Sequence, residues 1–196
     1  MDLKNICLII SSIFGLISPV IAIRSILIGE FKPQRTTRTI FLIINLLFVT
    51  TLLAQGDKIG IALAIIQFTS SVFIFLLSIK FGVGGTNKSD IIVFICAIIT
   101  LVIWKTTENP TLALYMSIIT DIIAISPTIY KSFKQPFTED PKFYASDTIS
   151  AFLNLAAQRS YNLADIAYPS YIFLINGFNM LLIIIRRRLV QKKLSS

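Results

Sequence analysis

The sequence predicts an all-α integral membrane protein of seven helices, built as two parallel three-helix repeats joined by one linker helix. Three observations predict it. Only 14% of the residues are charged, 55% are hydrophobic and the mean hydropathy is +0.78. A soluble domain carries about 25% charged residues, so this chain has too little charge to cover a water-facing surface. The apolar runs are long, and several approach the ~20 residues a helix needs to cross the hydrocarbon layer. The chain also repeats itself. ISPVIAIRSILIGEFKP begins at Ile17 and ISPTIYKSFKQPFTEDP at Ile125, so Pro19 and Pro33 match Pro127 and Pro141 without a gap, at an offset of 108 residues. Internal repeats are common in membrane transporters.

The elements follow from the apolar runs and their punctuation. Helices are expected at Ile6–Ile28, Thr39–Ala54, Ile59–Lys80, Ile91–Trp104, Thr111–Tyr130, Ala145–Ala157 and Pro169–Ile185. The first run contains Pro19, ends at Arg24 and lacks a small-residue cleavage site. It therefore reads as part of the mature fold rather than as a signal peptide. Gly82, Gly84 and Gly85 break the chain after the third helix, and Asn109-Pro110 breaks it before the fifth. Pro110 and Pro169 stand where helices five and seven are expected to start, a position that needs no backbone N–H. Helices one to three match helices five to seven, and the fourth is left over. An odd helix between the triplets gives them the same orientation in the membrane. The organisation is thus a first repeat over 1–81, a linker helix within 82–109, a second repeat over 110–188 and a basic tail over 189–196.

Charge sets the expected orientation. Arg24, Lys32, Arg35, Arg38, Lys80, Lys88, Lys131, Lys134, Lys142, Arg186, Arg187, Arg188, Lys192 and Lys193 fall on one side; Lys4, Lys58, Lys105 and Arg159 fall on the other. The positive-inside rule places the N-terminus outside and the C-terminus in the cytoplasm of a multi-pass cell-membrane protein. The net charge of +8 is explained by topology and contact with anionic lipid, so nucleic acid is not an expected partner.

The candidate functional residues are polar groups inside the spans. Asp121 lies in the middle of an apolar run, where a carboxylate costs about 3 kcal/mol on insertion scales. Ser117, Asp121, Ala124 and Thr128 share one helix face. Asp121 is read as a solute contact or a proton site, with a structural hydrogen-bonding role as the alternative. The amides Asn45, Gln67, Asn154, Asn176 and Asn179 are candidates for binding a neutral polar solute near the repeat interface. They serve equally well as interhelical hydrogen bonds worth about 0.6 kcal/mol each. Pro19 and Pro127 free the carbonyls of Gly15 and Ile123 and are read as paired hinges, against the plainer reading of static kinks. Pro33 and Pro141 lie just before helices two and six, where helix-start punctuation is the competing explanation. The stripes Ser11, Gly15, Ser18, Ala22 and Gly60, Ala64, Gln67, Ser71 are best read as close helix packing.

Other chemistries lack their residues. There is no His, and Cys7 and Cys96 both lie in apolar runs, so neither a metal site nor a disulfide framework is expected. Gly82-Val83-Gly84-Gly85-Thr86 lacks the spacing and lysine of a phosphate-binding loop. No cofactor and no enzymatic activity are expected.

The arrangement resembles the SWEET sugar transporters and the wider PQ-loop superfamily, which includes PnuC-type vitamin transporters and the KDEL receptors. The resemblance covers essentially the whole chain. It rests on Ser-Pro in the first helix of each triplet, then a basic residue (Arg24 and Lys131), then a proline entering the next helix. The segment from Pro127, PTIYKSFKQPFTED, is similar to the PQ-loop pattern, with Thr128 where its Gln would stand. The four prolines resemble the SWEET proline tetrad, which implies hinge or gate roles for Pro19, Pro33, Pro127 and Pro141. Asn176 lies in the helix that carries a substrate-contacting Asn in SWEETs. The spacing between the prolines is shorter than in SWEETs, and the only tryptophan, Trp104, lies in the linker helix, so sugar stacking on tryptophan is not implied. The expected function is carriage of a small neutral polar solute, of sugar, vitamin or amino-acid size, by rocking of the two triplets. A non-transporting receptor or scaffold of the same fold is the alternative. Membrane lipids are expected partners, and a homo-oligomer is compatible with this reading.

Overall fold

The computed structural model describes residues 2–83 and 88–195. Gly84, Gly85 and Thr86 of the glycine-rich break lie outside the described residues. Those residues form α1 (Leu3–Leu27), α2 (Arg35–Gln55), α3 (Gly60–Phe81), α4 (Lys88–Thr107), α5 (Pro110–Lys134), α6 (Pro141–Ala157) and α7 (Leu163–Ser195), with a 3₁₀ turn at Pro136–Thr138. Five of these, α1, α2, α3, α5 and α7, are long and apolar enough to cross a membrane. The protein is all-helical and has the character of an α-helical membrane protein.

Local signals set most helix ends. Gly56 adopts φ 74°, a left-handed conformation that glycine takes without steric cost, and it closes α2. Asn109 accepts a hydrogen bond from the Leu112 N–H, and Asp140 accepts one from the Lys142 N–H, with Pro110 and Pro141 as the first residues of α5 and α6. Several boundaries differ from the sequence expectation. Pro169 does not begin the seventh helix. Asn162 caps α7 by accepting the Asp165 N–H at 2.9 Å, and Pro169 lies within the second turn. At its other end α7 runs through the basic residues 189–195, which continue the helix. Helix α2 begins at Arg35 rather than Thr39. The chain before it pairs with the segment after α3: the Val83 N–H donates to the Pro33 carbonyl at 2.9 Å, and the Arg35 N–H to the Val83 carbonyl at 3.3 Å.

Burial is inverted relative to a soluble bundle. Ile9, Ile13, Leu16 and Val20 of α1, Phe73 and Leu76 of α3 and Leu174 and Phe178 of α7 are exposed. Helix α4 turns Ile91, Ile92, Phe94, Ile95 and Ile98 outward and packs on α5 and α2 from the periphery, with the Thr100 and Thr120 hydroxyls 3.0 Å apart. Such an apolar girdle, with backbone groups satisfied inside helices, suits contact with lipid.

Within the bundle, α3 packs on both α1 and α2, and α7 packs on both α5 and α6. Among the described residues α1 does not pack on α2, nor α5 on α6. The remaining large contacts are α1 with α6 and α2 with α5. The α1–α6 contact is very close because it is made by small residues. Ser11 and Ser150 donate to each other's carbonyls at 2.7 and 2.8 Å, and Ser146 donates to the Phe14 carbonyl at 2.6 Å. Ser11, Gly15, Ser18 and Ala22 are all buried, in line with the packing role read from their stripe.

Alternating helices create two ends. The N-terminal face carries the N-terminus and the α2–α3, α4–α5 and α6–α7 connections. It is tied by Lys4 Nζ donating to the Gln158 carbonyl at 2.8 Å and Arg159 to Asn5 Oδ1 at 3.0 Å. The C-terminal face carries the α1–α2 and α5–α6 connections and the end of α7. There Lys131 donates to the Lys32 carbonyl at 2.8 Å, and Arg187 to the Glu139 carbonyl at 2.6 Å. Two apolar clusters divide the core. One holds Phe48, Leu52, Leu63, Leu114 and Tyr168; the other holds Ile26, Phe31, Phe143, Tyr144 and Ile183 near the C-terminal face.

Candidate functional site

A cavity of about 70 Å³ lies in the interior, lined by α2, α3, α5, α6 and α7. Four of the residues singled out from sequence meet there: Asn45, Gln67, Asp121 and Asn176. They come from four different helices, so no local pattern brings them together. Thr128, on the Asp121 face of α5, joins them, with Ser70 and Ser71 of α3.

Asp121 is buried and accepts a hydrogen bond from the Tyr171 hydroxyl of α7. Tyr171 packs at 6.4 Å from Phe48, whose ring lies 4.6 Å from that of Tyr168, so aromatic rings cover Asp121 from one side. Asn45 donates to the Phe41 carbonyl at 2.8 Å and to Ser71 Oγ at 2.9 Å. Asn176 donates to the Ile172 carbonyl at 3.0 Å. Both amides are thereby oriented, with their carbonyl oxygens left to accept. The Gln67 Nε2 has no hydrogen-bond partner.

Asn154 and Asn179 stand apart from this lining. Asn154 is fully buried, and its amide donates to the Ile59 carbonyl at 3.0 Å, tying α6 to the start of α3. Asn179 is also fully buried, and neither its Nδ2 nor its Oδ1 has a partner. None of the four prolines lines the cavity. Pro19 and Pro127 lie within α1 and α5, which continue through them. The carbonyl of Ile123, freed by Pro127, accepts from Ser126 Oγ at 2.7 Å. Ser18, the matching residue before Pro19, makes no such bond. Pro33 lies in the extended segment paired with Val83, and Pro141 opens α6.

Two charged residues in the lining were not anticipated. A helix starting at Ala145, as the sequence predicts, would place Asp147 in its first turn. Because α6 begins at Pro141, Asp147 lies in the second turn and is only 2% exposed. Ser18 Oγ and the Gln67 amide lie beside its carboxyl, without closing hydrogen bonds of ordinary geometry. Arg38, which the sequence places before the second helix, occupies the first turn of α2 and is 9% exposed. Its guanidinium lies over the rings of Phe31 and Phe41, at 5.1 and 5.5 Å from their centroids. Tyr144 is beside it, held by its own bond to Glu139 Oε2 at 2.9 Å. The signal that could have found this pair was present. Asn45 and Asn154 are 109 residues apart, and the same offset relates Arg38 to Asp147.

No ion pair neutralises either group among the described residues. A salt bridge joins Lys131 to Glu139 at 2.9 Å, near the C-terminal face. The described residues hold no group of His, Cys, Asp and Glu suited to a metal ion. No protein-family model matches the chain, and neither does any curated protein or solved structure.

Proposed function

We propose that the protein carries a small polar solute across a membrane by alternating access between two three-helix units. The observation that supports this reading most directly is the buried polar cavity lined by α2 and α3 on one side and α5, α6 and α7 on the other. Transporter sites of this kind lie where repeats meet, near the middle of the bundle.

The pairing of helices supports a 3+1+3 organisation with parallel repeats. Exchanging α1 with α5, α2 with α6 and α3 with α7 turns the α1–α3–α2 order into α5–α7–α6. It also turns the α1–α6 contact into the α5–α2 contact. This two-fold pattern adds to the proline repeat and to the resemblance to SWEET and PQ-loop proteins. Apolar clusters with large rings flank the cavity, and separation of either one would open it toward one face. In this reading the C-terminal face, which bears most of the basic residues, is cytoplasmic.

Purified protein in proteoliposomes should take up at least one solute from a panel of sugars, amino acids and vitamins, and should exchange preloaded solute. Saturable binding with no flux, in vesicles where a known carrier works, would replace transport by a receptor role.

A further inference from the structure

The cavity is lined by both signs of charge, and among the described residues no salt bridge joins Arg38 or Asp147 to a counter-charge. We propose that its ligand is a small zwitterion of the amino-acid type, with its carboxylate at Arg38 and its ammonium group at Asp147. This rests on the transporter reading for the place of the site and deepens it by naming the ligand chemistry.

Arg38 supplies the first observation. It is more than nine-tenths buried, it lines the cavity, its Nε makes no hydrogen bond, the Tyr144 hydroxyl beside its guanidinium is neutral, and no carboxylate forms a salt bridge with it among the described residues. A buried guanidinium without an anion is costly, and a planar fork of donors suits a carboxylate. The Phe31 and Phe41 rings beside it accommodate positive charge but cannot accept its N–H groups. Nor does Glu139 serve as its anion, because that carboxylate is engaged by Lys131 and by the Tyr144 hydroxyl.

Asp147 supplies the second. It is a nearly fully buried carboxyl group beside the neutral Ser18 and Gln67, with the neutral Tyr168 also near, and it lies one helical turn from Tyr144 on α6. Arg38 and Asp147 do not pair with each other, although they face the same cavity from α2 and α6. A ligand carrying both charges would satisfy the two groups at once. A neutral sugar would leave both without counter-charge, and a simple anion or cation would leave one. The oriented Asn45 and Asn176 amides and the Asp121–Tyr171 pair would then face the remainder of the molecule. The present cavity volume favours ligands with small side chains.

The test uses the full chain in detergent and in proteoliposomes. The probes are the twenty proteinogenic amino acids, glucose and glycerol, together with the methyl ester and the des-amino acid of the best-binding amino acid. At least one amino acid should raise the melting temperature saturably. The ester, lacking the carboxylate, and the des-amino acid, lacking the ammonium group, should each bind at least tenfold more weakly. Arg38→Gln should weaken binding of the amino acid at least tenfold while changing binding of its ester by less than threefold. Asp147→Asn should show the converse pattern, with the des-amino acid as the insensitive ligand. If a variant fails to fold, the comparison of ligands on the unaltered protein decides the matter alone. Binding of glucose or glycerol with no response to any amino acid would overturn the proposal, as would equal binding of the ester and the parent amino acid. Amino-acid binding without flux would keep the zwitterion and remove the transporter reading.

Discussion

Asp121 shows how one side chain can serve structure and function together. The Tyr171 hydroxyl donates to its carboxyl group, so the pair also joins α5 to α7. Asp121→Asn keeps an oxygen acceptor for Tyr171, and its unfolding free energy in detergent should lie within about 1 kcal/mol of the parent protein. Tyr171→Phe leaves the carboxyl group buried without its donor and should cost about 1–3 kcal/mol. Loss of uptake in the stable Asn variant, with exchange of preloaded solute retained, would place the carboxyl proton in the coupling step. Normal uptake by that variant would remove its charge from the mechanism. Asp121 was visible in the sequence because a carboxylate in the middle of an apolar run has no solvent-exposed explanation. Asp147 was not, because acidic residues are ordinary in the first turn of a helix, and only the true start of α6 moves it deeper.

At the scale of the element, α1 and α6 meet through small residues. A methyl group placed on Gly15 would lie 2.9 Å from both Ile66 Cγ2 and Ser150 Oγ. Gly15→Val should therefore destabilise the protein by about 1–3 kcal/mol through overpacking, measured by thermal or denaturant unfolding. Gly177 in α7 provides the contrast, since a methyl group there meets only the Thr148 side chain, at 3.5 Å from Cγ2 and 3.9 Å from Oγ1. Gly177→Ala should be neutral or stabilising by up to about 1 kcal/mol, the ordinary gain in helix propensity. The prolines invite a comparable test. Pro127→Ala restores an N–H that competes with Ser126 for the Ile123 carbonyl, and Pro19→Ala restores one to Gly15. If both are hinges, each substitution slows turnover more than it weakens binding, as read by uptake rates against equilibrium binding. Unchanged turnover in the double variant would reduce them to kinks. The two sites are not equivalent, because Ser126 caps the carbonyl freed by Pro127 while Ser18 lies beside Asp147 instead.

For the whole molecule, the distribution of charge predicts orientation. Moving Arg38 from the loop into the cavity lining leaves the basic excess on the C-terminal face intact, since the arginines and lysines around it remain there. In a background without Cys7 and Cys96, a cysteine at Lys58 should react with an impermeant reagent added outside intact cells. A cysteine at Lys32 should react only after permeabilisation. The opposite pattern would reverse the topology.

The sequence by itself determined the all-helical membrane class, the order of seven helices, and the two proline-bearing elements. These depend on composition and on local spacing, which the chain carries without reference to its neighbours. It also exposed Asp121 and the amides, because polarity inside an apolar run is visible along one dimension. Only the tertiary structure decided which amides share a cavity. Asn45, Gln67 and Asn176 converge, whereas Asn154 bonds the start of α3 and Asn179 is buried away from the cavity, and helix rotation within the bundle makes that choice. The same holds for Arg38 and Asp147. Each looks like an ordinary residue near the end of a helix, and packing of α2 and α6 around one interior space is what buries both beside the same cavity.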